Sequence, residues 1–143
     1  MKHHILLRVI SSIAIPFIFM FGWYVLFHGK VSPGGGFQGG AICATAFILH
    51  AMIFSVDKTK QIISLRKLRV IGCIGAFIFC SFGFLSLIMG GKFLEYNIYS
   101  DNTHLAQFIG IMGVEVGVQL TVFAVLTLIF MVLAEQESSA TTK

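Results

Sequence analysis

The sequence predicts an all-α, polytopic membrane protein with about four transmembrane helices and both termini cytoplasmic. Three observations lead there. The chain is 57% hydrophobic and only 11% charged, about half the charge of a soluble domain. Its apolar residues are gathered into blocks long enough to cross a bilayer, not spread at the period of a strand or a surface helix. Its basic residues cluster beside one of those blocks, as they do on the cytoplasmic side of membrane helices. A net charge of +4 arranged in this way points to a membrane surface and not to nucleic acid.

The first span reads from about Ile5 to Phe27. Lys2 and Arg8 precede an apolar stretch without a small-x-small cleavage site, so an uncleaved span is expected and not a signal peptide. Pro16 lies within it as a candidate kink, and Trp23, Tyr24 and His28 mark its far end, where aromatic rings favour the interface. The second span reads from about Gly36 to Val56. Asp57 to Arg69 then carries Lys58, Lys60, Arg66, Lys67 and Arg69, with a short interfacial helix expected over Gln61 to Leu65. The third span, Val70 to about Met89, contains no charge. Gly90 to His104 reads as a polar loop. The fourth span, from about Leu105 to Ala134, exceeds a hydrocarbon core of about 30 Å and must tilt or protrude. Residues 5–134 form one transmembrane domain; residues 135–143 are expected to be a short disordered polar tail.

With four spans, Lys2, Arg8, the five basic residues after Asp57, and Lys143 share one side, against Lys30 and Lys92 on the other. This bias places both termini in the cytoplasm and the glycine-rich loop outside. Cys43, Cys73 and Cys80 are isolated, odd in number and within spans, so neither a disulfide framework nor a zinc site is indicated.

Three features stand out as possible chemistry. The first is the run from His28 to Gly40, with five glycines between residues 34 and 40 at the mouth of a membrane helix. Each glycine costs roughly 1 kcal/mol of helix stability relative to alanine, and close approach of another backbone is the expected return. Gly36 and Gly40, and Gly35 and Gly39, form GxxxG pairs, continued at helical spacing by Cys43, Ala44 and Ala46. Pro33 fixes the preceding turn and Ser32 is a candidate cap. A packing motif is the leading reading, with backbone groups lining an ion or water path as the alternative. The formal match to GxGxxG lacks the strand and acidic residue that a dinucleotide site needs.

The second feature is Glu115, the one acidic residue well inside a span, with Gln119 one turn on. An intramembrane carboxylate is costly and marks either function or a hydrogen-bonded interface. Gly110, Gly113, Gly117 and Thr121 stripe nearly the opposite face. The fourth span therefore calls for protein on two sides, more than four helices would ordinarily supply. The third feature is His50, on the face of Gly39, Cys43 and Ala46, able to titrate near neutral pH and expected too far from Glu115 to touch it. A packing histidine is the plainer reading. No nucleophile–base pair or metal-ligand cluster is visible in the sequence, so an enzyme is not expected.

The stretch His28-Gly29-Lys30-Val31-Ser32-Pro33-Gly34-Gly35-Gly36-Phe37-Gln38-Gly39-Gly40 resembles the signature of the MnhB-type domain, a small subunit of Mrp-type multisubunit Na+/H+ antiporters. Gly113 to Val122 resembles that family's acidic-x-Gly-Val stretch in the last span. The resemblance implies an integral subunit of a monovalent cation/proton antiporter in the plasma (inner) membrane of a prokaryote, partnered by other antiporter subunits and carrying no cofactor, with Na+ and H+ as the transported ions. It carries over Pro33, Gly34, Gly35, Gly36, Phe37, Gly39, Gly40 and Glu115, to which the reading of the residues adds His50 and Gln119 as ion-path or structural positions. The alternatives are the equivalent subunit of a membrane-bound hydrogenase or complex I-related redox complex, and a purely structural scaffold. On any of these readings, leucine at Gly36 or Gly40 is expected to break the assembly apart.

Overall fold

The computed structural model describes residues 2–29, 34–99 and 103–141. Its order is α1 (Lys2–His28), α2 (Gly36–Phe54), α3 (Val56–Ile62), α4 (Leu65–Ile88), a 3-10 helix (Tyr96–Tyr99) and α5 (Thr103–Thr141). Among the described residues there is no strand. Four helices, α1, α2, α4 and α5, are long and apolar enough to cross a membrane, as the sequence predicts.

The boundaries differ from the sequence reading where serine caps intervene. α2 stops at Phe54, short of Val56, because Ser55 turns the chain at φ 100°. The Ser55 hydroxyl then accepts from Asp57 N at 3.4 Å and starts α3, so the short helix lies over Val56–Ile62 and not Gln61 to Leu65. Ser64 accepts from Lys67 N at 3.4 Å and starts α4 at Leu65. Arg66, Lys67 and Arg69 thus belong to the membrane helix itself. α4 closes on Gly90 at φ 89°, with Gly91 N bonded to Ser86 O and Gly90 N to Leu87 O, both at 3.0 Å. This is a Schellman ending, which needs a residue tolerant of the left-handed region. α1 runs unbroken through Pro16. α5 has 39 residues and continues beyond Ala134 to Thr141; at 1.5 Å per residue that is about 58 Å.

The helices stand in the spatial order α1, α2, α5, α4. α2 and α5 are the inner pair. Among the described residues α1 and α4 form no substantial contact with each other, so they are the outer members. Each junction is made by glycine. Between α1 and α2, a Cβ on Gly39 would stand 2.7 Å from Gly22 O. Between α2 and α5, a Cβ on Gly40 would stand 2.7 Å from Gln119 O, and one on Gly36 would collide with Glu115 O. Between α5 and α4, Gly117 would meet Gly75 O at 2.8 Å. Backbones this close have the geometry of small-residue membrane crossings supported by Cα–H···O contacts.

This order revises one expectation. α5 does need protein on two sides, and the chain supplies both: α2 on the Glu115 and Gln119 face, α4 on the Gly113, Gly117 and Thr121 face. No second subunit is required for either. The segment after α4 folds back over the α4–α5 end. Phe93 fills the slot at Gly83, Tyr96 the slot at Gly110, and Phe82 the slot at Gly113. Tyr99 donates to Phe82 O at 2.5 Å and shares a 2.7 Å hydrogen bond with Ser86. At the opposite end, α3 is pinned by buried Thr59 and by Lys60, whose Nζ lies 2.9 Å from Glu135 on α5.

Candidate functional site

The α2–α5 seam brings the glycine run and the acidic stretch together. Gly35 and Gly36 lie against Glu115: a Cβ on Gly35 would stand 3.5 Å from Glu115 Oε1, and Gly36 meets its backbone. One turn on, Gly39 and Gly40 lie against Gln119. At Gly36 only glycine lets the α5 backbone lie this near; a side chain there would push Glu115 away from the mouth of α2. Gly34 faces the other way: a Cβ on it would stand 3.1 Å from Val25 O of α1. Phe37 stands apart from the seam, 62% exposed on the outer surface of the chain. Pro33 and Ser32 lie outside the described residues.

Glu115 is half-buried and is engaged with neighbouring groups. The lid over the α4–α5 end brings Tyr96 within its field. Burial is the main cause that holds the Tyr96 phenol above its ordinary range, and the neighbouring Tyr99 and Glu115 add to it. Gln119 is 2% exposed. Its Nε2 donates to Cys43 Sγ at 3.5 Å, and Cys43 in turn lies 3.7 Å from Phe19 O. A cleft of about 170 Å³ opens beside Gln119, Cys43 and Trp23.

His50 belongs to the other end. Its Nδ1 is 2.7 Å from Thr59 Oγ1, and its ring lies 4.8 Å from that of Phe54. From Gly36 to His50 the helix rises about 21 Å, so His50 and Glu115 are separate sites. Between them Phe19, Phe47 and Phe123 close edge to face, with centroids 5.8, 6.3 and 5.2 Å apart. The three rings interrupt the polar line one turn beyond Gln119. His50 also borders a cleft of about 220 Å³, otherwise lined by apolar residues such as Ile15, Pro16 and Phe47.

Three participants were not singled out from the sequence. Gly22 is a lone glycine in an apolar span; a glycine there is itself a sign of a helix crossing. Gly75 carries the same sign on α4. Tyr96 sits in a segment read as loop, and nothing local shows that it folds onto Gly110. Among the described residues no group of three His, Cys, Asp or Glu side chains could hold a metal.

A bundle with apolar outer faces, glycine crossings and one intramembrane carboxylate defines a multi-pass membrane subunit. Comparison with known families places it further. Residues 6–128 match the domain related to the MnhB subunit of the Na+/H+ antiporter, and the chain belongs to that family. It is 30% identical over 143 residues to a Staphylococcus haemolyticus (strain JCSC1435) protein named "Putative antiporter subunit mnhB2", covering 96% of this chain and 99% of that one. The protein of the same name from Staphylococcus aureus (strain Newman) is 31% identical over 94 residues, 66% of each chain.

Proposed function

We propose that the chain is a membrane subunit of a multisubunit Na+/H+ antiporter in the plasma membrane of a prokaryote, working beside other antiporter subunits. Its α3 end, with the basic residues, faces the cytoplasm. Its part is to hold Glu115 at a fixed depth against a side-chain-free helix mouth, beside a route for ions.

The observation that carries this reading is the docking of Gly35 and Gly36 on Glu115. An ionisable group inside a bilayer is expensive and is kept for a purpose. Bare backbone at a helix start leaves N–H groups that a neighbouring carboxylate can approach closely. The three phenylalanines beyond Gln119 argue that a route past Glu115 is completed by other subunits and does not run through this chain to His50. Na+ and H+ are the transported ions on this reading, and no cofactor takes part.

The test is Glu115→Gln in an assembled complex. Sodium-driven proton exchange in vesicles is expected to fall while subunit composition stays intact. Normal exchange would remove Glu115 from the mechanism and leave the subunit a scaffold. Mild detergent purification with this chain as bait is expected to recover several large multi-span partners. Recovery of metal-centre subunits instead would assign the chain to a redox complex.

A further inference from the structure

The outer face of α4 joins two guanidiniums to an apolar column. Arg66, Arg69, Val70, Cys73 and Phe77 follow one another at the spacing of a single helical stripe, and all five are exposed. The stripe lies opposite the side on which Leu68 and Gly75 are buried and Gly75 meets α5. An open groove of about 440 Å³ runs along it, lined by Arg69, Val70, Cys73, Ile74 and Phe77. The cations at its head are uncommitted. Lys60 takes Asp57 at 4.0 Å and Glu135 at 2.9 Å, and among the described residues no carboxylate reaches Arg66, Lys67 or Arg69.

Depth sets what meets these groups. Val70 to Ile88 carries no charge and rises about 28 Å, close to a hydrocarbon core of about 30 Å. Arg69 therefore stands at the edge of the hydrocarbon, and Arg66 about 4.5 Å further out, within the headgroup layer. The groove below them points into the acyl chains. Packing argues against a helix as its occupant. Helices of this chain meet through glycines, but Gly72 and Gly75 face α5 and Gly83 takes Phe93, which leaves the bulky Val70, Ile74 and Phe77 on the outside.

We propose that this face is a binding site for a phospholipid with an anionic headgroup. Arg66 and Arg69 hold the phosphate, since a guanidinium offers paired donors to phosphate oxygens. Lys67 adds positive charge beside them, and one acyl chain lies in the groove from Val70 to Phe77. A headgroup with no net charge leaves the three cations only partly neutralised, so the site favours an anionic lipid over a zwitterionic one. The site rests on α4 crossing the bilayer. It stands whether or not Glu115 serves an ion route, so the two ideas fail separately.

The test is photolabelling of the assembled complex in vesicles. Phosphatidylglycerol and phosphatidylcholine carrying the same diazirine-bearing acyl chain are compared at equal amounts, and labelled peptides are read by mass spectrometry. The α4 peptide containing Val70 to Phe77 is expected to take several-fold more label from phosphatidylglycerol. Arg66→Gln with Arg69→Gln is expected to bring that labelling down to the phosphatidylcholine level. Cys73→Trp, which fills the groove and keeps the charges, is expected to lower it as well. Lys58→Gln, a charge removed outside the stripe, is expected to change it little. Equal labelling by the two lipids would mean ordinary surrounding lipid and overturn the proposal. No labelling by either would mean that another subunit covers α4, and would overturn it too. A loss with Lys58→Gln as large as with the arginine pair, or none with Cys73→Trp, would reduce the site to diffuse charge. The comparison of headgroups on the unaltered chain decides the matter even if a variant fails to assemble.

Discussion

A single added carbon separates the glycines of this chain into two kinds. At Gly36 a Cβ would run into the Glu115 carbonyl on α5. Neither backbone can give way cheaply, so Gly36→Ala is expected to cost about 1–3 kcal/mol, the range for overpacked interiors. At Gly72 a Cβ would lie 3.5 Å from the Ala124 Cβ, an ordinary contact. Gly72→Ala is expected to be neutral or stabilising, by up to about 1 kcal/mol from helix propensity. Chemical unfolding of the two variants in the same detergent checks the contrast. Tyr96 gives a pH-dependent prediction. Its phenol is raised by burial first, then by Tyr99 and Glu115, whereas an unfolded-chain tyrosine ionises near about pH 10. The folded state therefore favours the neutral phenol. That stabilisation is full below the unfolded value and is lost as pH rises through the folded one. The lid is expected to loosen in strong alkali, and Glu115→Gln is expected to move Tyr96 ionisation to lower pH. Phenolate absorbance, with Tyr96→Phe as the reference, reads both.

At the scale of elements, α3 shows how weak and strong fastenings divide the work. Lys60 reaches Glu135 at 2.9 Å, but the two side chains are 25% and 50% exposed. Such a pair is worth at most about 1 kcal/mol, so Lys60→Ala is expected to leave unfolding almost unchanged. Thr59 is fully buried, and its hydroxyl meets both Ser55 O at 3.1 Å and His50 Nδ1 at 2.7 Å. Thr59→Val keeps the shape but strands His50 Nδ1, while Ser55 O still accepts from Thr59 N at 3.2 Å, and is expected to cost about 1–3 kcal/mol. If the two variants melt alike, the hydrogen-bonded threonine is not what seats α3. The boundaries of α3 and α4 were legible in hindsight from Ser55 and Ser64, each a capping residue ahead of a helix. The apolar blocks do not carry these boundaries, because a block marks where lipid is, not where hydrogen bonding starts.

For the whole molecule, the consequence of the α1, α2, α5, α4 order is self-sufficiency. Both demanding faces of α5 are met within the chain. The subunit purified alone in mild detergent is therefore expected to keep its helices and unfold cooperatively, as seen by circular dichroism. Gly36→Leu or Gly40→Leu is expected to destroy that transition in the isolated chain, before any question of assembly arises. A normal melt of the isolated Gly36→Leu chain, with loss of partners from the complex, would restore the expectation that these glycines face another subunit. Their partners in this fold are Glu115 and Gln119 of the same chain. The outer faces of α1 and α4, with residues such as Phe17 at 68% and Phe77 at 74% exposure, are left for lipid and other subunits.

The sequence by itself determined the membrane solvent, the four spans, the family, and the residues worth watching: the glycine run, Glu115, Gln119 and His50. Those follow from composition and local pattern, because a bilayer imposes length and apolarity on each helix separately. Which surfaces meet was decided only by the tertiary structure. A stripe of small residues announces that something lies close, but it carries no address. That α2 takes α1 on one side and α5 on the other, and that Gln119 is sealed beside Gly22, depends on residues nearly a hundred positions apart packing at backbone distance.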